Sequence, residues 1–159
     1  HTNDAAGAVP RFLSMGVEAS LLAPALRVVM GQRLVRRLCE HCKVEAHLNE
    51  AAITRVQGII DAVPANSGES PALEGVTLYR ANPGGCDKCN NGYKGRVGIY
   101  EILVVNAAVE EAVRSGAVTD ADMRRIVHEQ GMVTMEQDGI LKVLYGITTI
   151  DEVFRVAAT

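Results

Sequence analysis

The chain has 159 residues, 48% hydrophobic and 22% charged, with a formal net charge of −3 and a pI near 5.8. This is the composition of a globular chain, and no apolar run approaches the roughly 20 residues that span a bilayer. The acidic balance argues against a dedicated nucleic-acid binder, because phosphate contacts rest on an excess of Lys and Arg.

The chain opens His1-Thr2-Asn3-Asp4, with no initiator methionine and no apolar signal segment, and reads as a piece of something longer or a processed product. After Asp4 the spacing of Val9, Phe12 and Leu13 predicts a helix stopped by Gly16, with Pro10 kinking it or shifting its start. A second helix is predicted over 20–30, where Leu21, Leu22, Ala25, Val28 and Val29 form a stripe and Pro24 suits a first turn. Residues 32–38 (QRLVRRL) then switch to a strand rhythm.

Ala52, Ile53, Val56, Ile59 and Ile60 give 49–63 helical spacing, and 66–71 (NSGESP) has the composition of a loose connector. A short strand is predicted at 76–79, tight turns at Asn82-Pro83-Gly84-Gly85 and Asn90-Asn91-Gly92, and the clearest strand at 97–105. From Asn106 onward the pattern is helical, in three or four segments punctuated by Gly116, Gly131 and Gly146. Thr119-x-x-Asp122, Thr134-x-x-Gln137 and Thr149-x-x-Glu152 have capping-box spacing, and the methionines read as core filler.

The four cysteines form two pairs, Cys39-Glu40-His41-Cys42 and Cys86-Asp87-Lys88-Cys89. A two-residue gap lets the backbone turn so that two thiolates converge on one ion, and a second such turn completes a tetrahedral site; structural zinc is the first reading. Iron in the same four-sulfur cage, a redox pair and disulfides are the alternatives. A redox pair leaves two cysteines idle, and disulfides need an oxidising compartment. His41 and His47 read as solvent-facing loop residues rather than ligands. The basic residues near the pairs (Arg33, Arg36, Arg37, Lys43, Lys88, Lys94 and Arg96) read as a solvated face balancing thiolate charge.

Catalytic signals are nearly absent. The chain has no Gly-x-x-x-x-Gly-Lys-[Ser/Thr] loop for nucleotide phosphates, and Asp151-Glu152 fits a capping box better than a magnesium-binding pair. No catalytic residue is assigned.

Several stretches, in order, resemble one family. They are His1-Thr2-Asn3-Asp4-Ala5, Arg11-Phe12-Leu13-x-Met15-Gly16, and Gln32-Arg33-Leu34-Val35-Arg36-Arg37-Leu38-Cys39, followed by Gly92-Tyr93-x-Gly95-Arg96-x-Gly98-Ile99-Tyr100-Glu101. Asp138-Gly139-x-x-Lys142 and Gly146-Ile147-Thr148-Thr149-x-x-Glu152-Val153 close the series. The chain resembles the secretion ATPases, hexameric motors of type II protein secretion and type IV pilus extension, almost from end to end.

The resemblance implies the C-terminal part of such a motor, with the phosphate loop and the magnesium-holding carboxylates upstream of His1. The fold it implies is α/β: the tail of a RecA-like ATPase domain (1–38), a tetracysteine zinc module (39–100) and a helical C-terminal extension (101–159). His1 and Thr2 match the family's histidine box, which faces the nucleotide, and Cys39, Cys42, Cys86 and Cys89 match its zinc motif. ATP and Mg2+ belong to the parent chain, and this segment is expected to be inactive alone. The implied location is cytoplasmic, peripheral to the inner membrane. The implied partners are further copies of itself and a membrane-embedded platform protein, toward which the zinc module stiffens the motor. The competing readings are a free-standing zinc-ribbon module using the same arginines on nucleic acid, and an iron-sulfur or rubredoxin-like redox protein.

Overall fold

The structure, a computed structural model, describes residues 2–157. It is a mixed α/β fold. In chain order the elements are α1 (Ala8–Ser14), α2 (Ala19–Ala25), β1 (Val28–Leu38), β2 (Val44–Glu45), α3 (Glu50–Asp61) and β3 (Tyr79–Arg80), then β4 (Tyr93–Val104), α4 (Ala107–Arg114), α5 (Asp120–Glu129), α6 (Met135–Leu144) and α7 (Ile150–Ala157).

Packing divides the chain into two units, each drawn from several stretches of sequence. The first takes the described residues up to 31 together with 64–69 and 101–134; the second takes 32–63, 70–100 and the residues from 135 onward. This division follows a different line from the 1–38, 39–100 and 101–159 scheme. Residues 101–134 join the N-terminal helices, and the last two helices join the cysteine segment.

In the first unit Val9, Ala23, Leu103, Val109, Val113, Met123 and Val127 share one core. Sequence-local chemistry explains its helices. The Asn106 side chain accepts from the Val109 N–H, and Val109 and Val113 then fall on one buried face. Thr119 and Asp122 make a reciprocal capping box for α5, which buries Met123 and Val127. Pro10 shifts the start of α1: the helix begins at Ala8, so the proline sits in its first turn, where a missing N–H costs little.

The helix expected over 20–30 ends instead at Ala25, with Pro24 inside its last turn and Leu26 extended at ψ 129°. A seven-residue helix that has already lost one donor at Pro24 cannot hold Val28 and Val29, whose branched side chains favour a pleated strand. They open β1, which pairs with β4. The Val105 N–H donates to the Arg27 carbonyl and the Cys39 N–H to the Gly92 carbonyl, each at 2.9 Å. One bond lies at each end of the pair, so the strands run antiparallel.

In the second unit Val56, Ile60, Leu78, Ile140, Val143, Ile150 and Val153 form one cluster, and Val35, Ile99 and Met135 another. Asn49 caps α3 through the Ala52 N–H. The strand expected at 76–79 is displaced to β3, which pairs antiparallel with β2 as Val44↔Arg80 and Glu45↔Tyr79. Helices α6 and α7 meet at Gly139, where an added Cβ would lie 2.6 Å from Val153 Cγ1. Three of the five methionines (Met123, Met132 and Met135) are buried core filler, while Met15 and Met30 are exposed.

Candidate metal centre

Both cysteine pairs belong to the second unit and sit on tight turns. In the first, the Cys39 carbonyl accepts from the Cys42 N–H at 3.2 Å and the Lys43 N–H at 2.9 Å. In the second, the Cys86 carbonyl accepts from the Cys89 N–H, and the Cys86 N–H donates to Cys89 Sγ, both at 3.2 Å. The Asn82-Pro83-Gly84-Gly85 turn feeds this knuckle: the Asn82 carbonyl accepts from the Gly85 N–H, and its side chain accepts from the Gly84 N–H. Gly92, at φ +80°, allows the backbone to close; a Cβ there would stand 2.7 Å from the backbone N and O of Asn82.

The four sulfurs lie within 4.8 Å of one another. Cys39 and Cys86 are 3.8 Å apart at Sγ, Cys42 and Cys89 3.6 Å, and Cys86 and Cys89 3.6 Å. A tetrahedron built on metal–sulfur bonds of about 2.3 Å has an edge of about 3.8 Å, so this cage fits one ion of that class. The separations are far beyond the roughly 2.05 Å of a disulfide. His41 and His47 are exposed and stand outside the cluster, as expected.

The thiols repel shared ionisation. Burial and the neighbouring sulfurs push Cys42 up to about 12, whereas Cys89, despite burial, is brought down to about 7 by the Cys86 N–H and by adjacent thiols. Crowded thiolates need a cation before all four can ionise together, and a divalent metal would supply that charge.

A network outside the cage fixes the end of β1. The Arg36 backbone N–H donates to Glu152 Oε2 at 2.9 Å, and its guanidinium donates to Oε1 at 2.7 Å. Arg155 holds the same carboxylate, donating from Nε at 3.1 Å and from the guanidinium tip at 2.8 Å. The Arg36 guanidinium also stacks 4.0 Å from the centroid of Tyr93, whose hydroxyl lies 3.2 Å from Thr149 Oγ1. Thr148 donates to the Arg36 carbonyl, and the Leu38 N–H to the Ile147 carbonyl, each at 2.8 Å. Glu152 therefore does more than cap α7: burial works against its charge, yet both arginines hold the carboxyl down at about 2.

Arg36 is exposed, as a solvated face requires, and is held by an ion pair as well. Its partner stands 116 residues away, and no local spacing announces such a pair. The only sequence signal was that Arg36, Tyr93, Thr149 and Glu152 all fall in the motifs that carried the family resemblance. A second motif pair meets where the Tyr100 N–H donates to Asp138 at 2.8 Å and Lys142 pairs with Asp138 at 2.5 Å.

His1 lies outside the described residues. Thr2 is exposed and lines a cleft of about 570 Å³ in the first unit with Asp4, Arg11, Asp120 and Arg124.

A family model described as type II/IV secretion system protein matches residues 1–155. The chain belongs to this family. Among its relatives in the family, the type IV pilus assembly ATPase PilB of Thermus thermophilus is 41% identical over 154 residues, covering 96% of this chain and 16% of that protein. Type II secretion system protein E of Dickeya dadantii is 38% identical over 157 residues, covering 98% of this chain and 28% of that protein. Type II secretion system ATPase E of Vibrio cholerae is 39% identical over 159 residues, again covering 98% and 28%. The chain thus spans between about a sixth and three-tenths of the length of these relatives. No helix among the described residues is long and apolar enough to cross a membrane.

Proposed function

We propose that this chain works as the C-terminal part of a hexameric ATPase that drives type II protein secretion or type IV pilus assembly. The observation that carries the reading is the four-thiol cage standing within a secretion-family match over residues 1–155. Zinc is the ion assigned to Cys39, Cys42, Cys86 and Cys89; bound there, it neutralises the thiolates and crosslinks the two knuckles. The chain's own residues set the cage: Gly85 and Gly92 permit the turns, and Lys43 spans from Glu40 at 2.7 Å to the Gly146 carbonyl at 3.1 Å, tying the first knuckle to the end of α6.

In this reading the RecA-like core, its phosphate loop and its magnesium carboxylates come from other residues of the parent chain, and His1 and Thr2 contribute to the nucleotide face. The metal module's work is mechanical. It gives the motor a stiff lobe on the cytoplasmic side of the inner membrane, through which ATP-driven movement reaches a membrane-embedded platform protein.

Replacing Cys39 and Cys86 by serine in the full-length ATPase tests this. The expected result is loss of secretion or piliation together with loss of stoichiometric zinc, measured by metal analysis of the purified protein. Normal transport by a zinc-free variant overturns the mechanical role. Full zinc content without those cysteines overturns the ligand assignment.

A further inference from the structure

Beside the second knuckle, the turn Asn90–Tyr93 closes on itself: the two residues exchange backbone hydrogen bonds of 3.0 Å, with Asn91 at φ 49° and Gly92 at φ 80°. Asn90 and Tyr93 spend their backbone groups on each other, and the turn lines a cleft of about 330 Å³, walled by Arg36, Asn90, Asn91, Tyr93, Gly95 and Arg96. None of the six is acidic. Two are arginines and two are amides, so the wall is rich in hydrogen-bond donors.

Arg36 is pre-set rather than mobile. Glu152, 1% exposed, holds one edge of its guanidinium, and the Tyr93 ring supports its face. A guanidinium has five N–H donors, and these two contacts leave others for a ligand. Arg96 is exposed and forms no ion pair among the described residues. Arg155 shares Glu152 with Arg36, so one carboxylate faces two guanidinium groups, and Arg96 adds an unpaired cation to the cleft that Arg36 lines, in a chain whose net charge is −3. A held arginine and a second, unpaired one in a donor-lined recess match the charge of a phosphoryl group.

We propose that this cleft is a phosphoryl-anion site in which Arg36 and Arg96 clamp the ligand and the amides of Asn90 and Asn91 complete its hydrogen bonding. The site is separate from the thiol cage and independent of the motor reading: it uses no cysteine and no residue of the nucleotide face.

The test is a low-salt titration of inorganic pyrophosphate into the 159-residue chain, followed by calorimetry and by amide NMR. Saturable binding is expected, with the largest shifts at the side-chain amides of Asn90 and Asn91. Arg96→Gln should weaken binding about tenfold or more, the loss of one charge-assisted hydrogen bond, while Arg125→Gln on α5 should leave it unchanged. Absence of saturable binding overturns the site, as does an equal loss in the two variants or shifts confined to other residues. A parallel arm uses phosphatidylglycerol vesicles. Co-sedimentation that Arg96→Gln abolishes and pyrophosphate competes away supports the site and assigns the phosphoryl group to a lipid headgroup. Pyrophosphate binding without co-sedimentation supports it and assigns the group to a soluble compound.

Discussion

Glu152 is the residue on which most depends: it is 1% exposed, negatively charged, and held by arginines from β1 and from its own helix. Its carboxyl titrates at about 2 in the folded chain against an ordinary 4.5, so the folded state favours the ionised form. The stabilisation is complete above pH 4.5 and is lost as pH falls toward 2, because acid must neutralise the group before its pairing is broken. Glu152→Gln should lower stability by about 1–3 kcal/mol near neutrality, the typical cost of an unmade hydrogen bond to a charged group. Urea midpoints of the two proteins should converge as pH drops through that window; a gap that stays constant with pH would assign the loss to packing instead. This residue was only half legible in the sequence. Thr149-x-x-Glu152 has capping-box spacing, and the Glu152 N–H does reach Thr149 Oγ1 at 3.3 Å, but nothing local could announce Arg36. The convergence of the four cysteines was legible, because the two-residue spacing itself turns each pair of thiols toward one point.

At the level of elements, what the sequence disclosed was decided by local chemistry. Helices α3, α4 and α5 begin where Asn49, Asn106 and Thr119 place a capping oxygen, and each such signal lies within three residues of the helix it starts. The α2–β1 boundary was misplaced because Val28 and Val29 are apolar enough for a helix stripe; the local signals against it, Pro24 and two branched side chains, are completed by a non-local one, pairing with β4. The meeting of α6 with α7 has the same character. Gly139 is one glycine among 15 in the sequence, and its purpose appears only when Val153 is laid against it. Gly139→Ala should force the two helices apart and cost about 1–3 kcal/mol by overpacking. Thermal unfolding of the double variant with Val153→Ala should recover part of that loss, since the clash and its partner are removed together; strict additivity would mean that the two residues do not couple.

For the whole molecule, neither packing unit is a continuous stretch of chain, which is why boundaries drawn along the sequence did not coincide with packing. The thiol cage belongs to the second unit alone, whereas the first has its own apolar core. Stripping the metal with a strong chelator should therefore abolish slow hydrogen exchange at Leu38, Cys39, Cys89 and Tyr93 and spare the amides of α4 and α5. Uniform loss across both units would mean that the chain unfolds as a single cooperative block. The position of the cage also bears on how the chain reaches its fold. Residues 43–85 separate the knuckles, and the β1–β4 ladder needs Cys39 beside Gly92, a distant encounter whose loop entropy is lost before any pairing is gained. Were the four thiolates to gather on one ion, they would make that encounter with only a few flexible side chains, and the ladder could then zip away from the captured end. Ion supply would then become a clock for maturation: a nascent chain short of metal would stall at the search for its partner strand, with apolar strand edges open to other chains.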